Sequence, residues 1–91
     1  MQQANTKETL FKQVVGEIIK DYRKNSTSYS VNFVGRAYGF DRGNLSKMEN
    51  GLVGISLLTA WKLCEALNIK FSDFAKILEE KLGNDFKFFD E

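Results

Sequence analysis

The apolar positions of this chain recur at spacings of three and four, and polar or glycine-bearing stretches break them four times. That pattern predicts five helices. The first stripe runs from about Thr6 through Leu10, Phe11, Val14, Val15, Ile18, Ile19 and Tyr22. One face therefore stays apolar for more than three turns, while Lys12, Glu17, Lys20, Arg23 and Lys24 fall mainly on the other side. Glu17 and Asp21 argue for a core helix and against one lying on a membrane surface. Asn25 to Ser28 break the stripe as a loop. A second helix is predicted over Val31 to Tyr38, with Ser30 as N-cap and Gly39 as its left-handed stop. A third follows over Arg42 to Glu49, capped by Asp41 and ended by Asn50-Gly51. Ser56 then caps a fourth, whose apolar face is expected to carry Leu57, Leu58, Trp61, Cys64 and Leu67. Asn68 stops it, and Ile69 turns inward. Ser72-Asp73 opens a fifth with Phe74, Ile77, Leu78 and Leu82 on one side, and Gly83-Asn84 closes it. Residues 1–6 are expected to be flexible, 7–83 to form one domain, and 84–91 to form an aromatic, acidic tail.

The second and third helices are short and joined at a glycine, the pattern of a helix-turn-helix. Val34 is expected to face the core, with Phe33 or Ala37 beside it. Gly35 costs about 1 kcal/mol against alanine in a helix interior, so close approach of the two helices is the expected reason for it. Tyr29 is either an apolar staple before the Ser30 cap or a hydroxyl for a phosphate. Leu45 and Met48 point inward, which leaves Arg42, Gly43, Asn44, Ser46 and Lys47 on the outer surface. Arg42 stands at the end of the helix that meets base edges when such a helix enters a major groove. Arginine holds guanine O6 and N7 with two hydrogen bonds, and Lys47 can reach the same atoms. Gly43 leaves room for close backbone approach or a thymine methyl. Asn50 is either a phosphate donor or only a helix terminator. Glu49 repels phosphate, so a structural pairing is expected, with Arg36 as a candidate partner.

Composition narrows the class. With 91 residues, 43% hydrophobic, eight Phe and no Pro, the chain suits one small all-α domain. It has no apolar run of membrane-spanning length and no signal-peptide core, and its one cysteine, Cys64, fits an inert thiol in a reducing cytoplasm. No histidine is present, and no nucleophile elbow or phosphate-binding glycine loop appears. No catalytic residue, metal or cofactor is therefore expected. Net charge is only +1, yet residues 1–62 hold nine Lys/Arg against five Asp/Glu and residues 63–91 hold four against seven. The motif sits in the positive part, which can face phosphates.

In Gly39, Phe40, Asp41, Leu45, Ser46 and the ending Met48-Glu49-Asn50-Gly51, the motif resembles the lambda-repressor-like (Xre/Cro) DNA-binding family, and the wider pattern from about Ile18 to Phe74 fits it too. The resemblance implies a compact five-helix domain that binds double-stranded DNA. It would be a bacterial or phage transcriptional regulator, repressor-like, working as a cytoplasmic homodimer on a pseudo-palindromic operator. Arg42, Gly43 and Lys47 would meet bases; Ser30, Asn44, Ser46 and Asn50 would meet the backbone. The family's usual glutamine at the second position of the motif is replaced by Val31, which removes one expected phosphate contact. The Gly51–Ile55 loop lacks the basic residues that the family often carries there, and its Leu52 and Val53 either join a dimer interface or pack within the chain. Phe86, Phe88 and Phe89 in the tail could pack on the domain, on a second copy, or on a toxin or other protein partner. Antitoxins and restriction–modification controllers share this architecture, and so would an interaction module that has lost DNA.

Overall fold

The computed structural model describes residues 3–89 as five helices: α1 (Gln3–Ser26), α2 (Val31–Tyr38), α3 (Arg42–Glu49), α4 (Leu57–Ala66) and α5 (Phe71–Leu82). Among the described residues there is no strand, and no helix is long and apolar enough to cross a membrane. α1 starts at Gln3, ahead of the Thr6 start expected from its stripe, because polar residues extend a helix already anchored downstream. Met1 and Gln2 of the segment expected to be flexible lie outside the described residues. α5 starts at Phe71, with Lys70 as a cap that has no side-chain bond. Ser72 and Asp73 therefore fall inside its first turn, where the Asp73 carboxylate still faces the positive end of the helix.

α1 lies against α3 and α5, α2 against α3, and α4 against α5. Their shared core is Val15, Ile18, Ile19, Val34, Leu45, Met48, Leu63, Cys64, Leu67, Ile69 and Phe74. The α1 stripe is thus the spine of the core. Its approach to α3 is close enough that a Cβ on Gly16 would stand 2.3 Å from the Met48 carbonyl oxygen. Only glycine fits there. Burial pushes the Cys64 thiol pKa up, so the thiol stays protonated among its apolar neighbours.

The apolar face of α4 differs from the one expected. Ala60, Leu63 and Cys64 turn inward, with Leu67 just past the helix end. Leu57, Leu58 and Trp61 are instead 72%, 66% and 53% exposed. Leu58 and Trp61 share the outer side with Glu65, at i, i+3 and i+7, and Leu57 is exposed at the first turn. Trp61 donates to Glu65 Oε2 and stacks on Phe71 with centroids 5.3 Å apart.

The tail folds back on its own domain. Phe86 and Phe88 meet Phe11 of α1, at centroid distances of 6.2 and 5.7 Å, and each other at 5.1 Å edge to face. The Lys7 ammonium donates to the Lys87 carbonyl oxygen beside them. Phe89 remains 86% exposed.

Candidate nucleic-acid interface

Local chemistry sets the angle between α2 and α3. Ser30 Oγ accepts the Phe33 N–H at 3.0 Å and starts α2. Gly39 stops it at φ +78, and the Gly39 and Phe40 N–H groups both donate to the Gly35 carbonyl. Asp41 Oδ2 then accepts the Asn44 N–H at 2.8 Å and starts α3. A Cβ on Gly35 would meet the Phe40 carbonyl oxygen at 2.9 Å and Arg42 Cβ at 3.3 Å. The expected close approach is therefore real, and it lies between α2 and the turn.

α3 is held from beneath by Leu45 and Met48, both buried. Arg42, Gly43, Asn44, Ser46, Lys47 and Asn50 are all exposed on its outer side and end, and Ser30 is exposed at the start of α2. These seven residues include every base and backbone candidate read from the sequence. The Asn44 main-chain N–H is spent on Asp41, so only its side chain is open to a ligand. Asn50 sits at the C-cap with φ −91, and Gly51 takes the left-handed turn at φ +72.

Two details differ from expectation, and a third decides between two expected roles. Glu49, 6% exposed, pairs with Arg23 of α1 and not with Arg36. The pair is bidentate, Nε to Oε2 at 2.7 Å and Nη2 to Oε1 at 2.9 Å, while Nη1 donates to the Tyr29 carbonyl at 3.0 Å. The hydrogen bond to Glu49 leads in raising the Arg23 pKa, so the charge persists. The reason is position: Arg36 leaves α2 on the exposed side, while Arg23 lies where the end of α1 passes under α3. Second, Phe33 and Ala37 do not face the core; both are exposed, and Val31 packs there beside Val34. Phe33 instead joins an aromatic cluster with Tyr29, 4.6 Å away, and Tyr38. Third, Tyr29 packs against the core, in line with the staple role, and its hydroxyl beside Tyr38 pushes the Tyr38 pKa up.

Asn32 and Gly16 were not singled out from the sequence. Asn32 Oδ1 accepts from Arg42 Nη1 at 3.2 Å, across the turn. Its signal would have been an amide on the second residue of α2, one turn short of Gly35. The residues weighed for a dimer interface are dispersed: Leu52 and Phe89 are exposed, Val53 packs against the core, Phe86 is half-buried beside Phe11, and Phe88 touches Phe11 but stays exposed.

A family model described as helix-turn-helix matches residues 19–74, which takes in α2, α3 and α4 whole and more than half of the chain. No curated protein matches the chain.

Proposed function

The chain belongs to the lambda-repressor-like (Xre-type) helix-turn-helix family, a family of DNA-binding transcription regulators and not of enzymes, and on that premise we propose a sequence-specific, repressor-like regulator that binds double-stranded DNA as a homodimer. The observation that carries this reading is the split of α3 into two sides. Leu45, Met48 and Glu49 fasten it to the domain, and Arg42, Gly43, Asn44, Ser46 and Lys47 are exposed together. Such a rod presents its outer side to a major groove without rearranging the core. Arg42 and Lys47 contact guanine edges, Gly43 admits close approach, and Ser30, Asn44, Ser46 and Asn50 fix the register on the backbone. Two copies occupy half-sites about 34 Å apart. Exposed Leu52, Leu57 and Leu58, within seven residues of one another after α3, supply an apolar surface for the second copy.

Selection of random duplexes on the purified protein tests the reading. The expected product is a pair of inverted half-sites one helical turn apart. A protein that retains no duplex even at very low salt sinks it. The same exposed leucines, with Trp61 and Phe89, favour one second reading: a toxin or other protein partner held on the side away from DNA, as in an antitoxin. Co-purification with a neighbouring gene product, unaffected by Arg42→Ala, would mark that reading.

A further inference from the structure

We infer that the cleft between α2 and α3 is a seat for one DNA backbone phosphate, held by Arg36 and Asn32; this rests on the DNA-binding reading above. The cleft, about 250 Å³, is lined by Asn32, Gly35, Arg36 and Arg42. Two guanidiniums and a carboxamide thus share a concave surface with no carboxylate in its lining. The Arg36 side chain makes no hydrogen bond or ion pair with any described residue, although it is exposed and charged. Asn32 spends its oxygen on Arg42, which leaves both N–H donors of its amide open. A methyl group on Gly35 would press into the turn and Arg42 at the floor of this cleft, so the glycine also keeps the seat open.

Two neighbouring positions are closed to a phosphate. Val31, where a phosphate-contacting side chain was expected, is aliphatic and packs on the core. The α3 N-terminus, otherwise a natural anion site, already holds the Asp41 carboxylate. Bidentate guanidinium chemistry suits a phosphodiester, and the nearest free guanidinium lies one turn further along α2, at Arg36. Asn32 links the two tasks. Its oxygen steadies Arg42 for a base edge while its amide N–H groups face the backbone. Asn32 is then a positioning residue for Arg42 as well as a phosphate ligand.

The test compares wild type, Arg36→Gln, Asn32→Ala and the exposed α5 control Lys76→Gln on a mixed-sequence duplex pool over a range of salt. Each variant is first shown to melt like wild type. Arg36→Gln is expected to weaken all sequences alike and to lower the salt slope by about one, as loss of one phosphate contact does. Lys76→Gln removes the same charge elsewhere and is expected to leave the slope unchanged. Asn32→Ala removes no charge, so it is expected to keep the slope, to weaken all sequences and to relax preference at one base position. If wild type binds but Arg36→Gln and Lys76→Gln give the same slope as wild type, the seat is overturned alone. If Asn32→Ala leaves the base preference intact, its link to Arg42 is overturned. A wild-type protein that holds no duplex overturns the seat together with the function beneath it.

Discussion

Arg23 on α1 and Glu49 on α3 form a bidentate ion pair although 26 positions separate them. The pair joins the end of α1 to the end of α3. Its side chains are only 11% and 4% exposed, so water screens it little. Glu49→Ala leaves the guanidinium among buried neighbours without its carboxylate. The expected loss is about 3 kcal/mol, read as a lower denaturant midpoint at unchanged m-value. Replacing both partners, Arg23→Met with Glu49→Leu, is expected to recover part of it.

Arg42→Ala is expected to weaken operator binding by about 1–3 kcal/mol and to relax one base position. Titration of the selected operator and of single-base variants measures both. An unchanged preference profile removes Arg42 from base reading.

Gly16→Ala tests how tightly α1 meets α3. Alanine would contribute about 1 kcal/mol by helix propensity, but its Cβ would lie 2.3 and 2.7 Å from the Met48 and Glu49 carbonyl oxygens. Neither oxygen is the end of a flexible side chain, so the helices must part. A loss of about 1–3 kcal/mol is expected, and thermal unfolding checks it.

Tail and α4 should separate in their effects. Phe88→Ala removes ring contacts to Phe11 and Phe86 and is expected to cost about 1 kcal/mol of stability with self-association intact. Leu58→Lys changes a side chain already in solvent. It is expected to leave the melting temperature unchanged and to shift sedimentation toward monomer. The reverse outcome would move the interface to the tail.

Cys64 offers a pH test. Its thiol pKa is raised by burial in the folded state, so the native form keeps its proton at pH values where the unfolded form begins to lose it. Stability carried by this group is complete below the unfolded thiol's range, about pH 8.5, and falls as pH rises above it. Cys64→Ala is expected to flatten that alkaline decline. Alkylation of wild type near neutrality should proceed only as fast as the chain opens.

The motif was legible in the sequence because local rules write it. Ser30, Gly39 and Asp41 act within one turn of themselves, and each plays its expected part. Leu45 and Met48 are buried as their spacing implies. What was not legible depends on distant packing. Arg23 reads as a surface residue until α3 is laid over the end of α1. Leu58 and Trp61 read as core because periodicity gives a stripe without saying how much of it a small core can cover. The two apolar sides of α4 compete, and the one carrying small Ala60 wins a place inside. The tail's rings could be assigned only once the fold had placed Phe11 of α1 beside them.

Trp61 is the only tryptophan in the chain, and it lies half in solvent on α4, stacked on Phe71. Its emission therefore watches one side of the molecule and not the outer side of α3. A blue shift on raising protein concentration, and none on adding duplex to pre-formed pairs, would report assembly and occupancy as separate optical events without any attached dye.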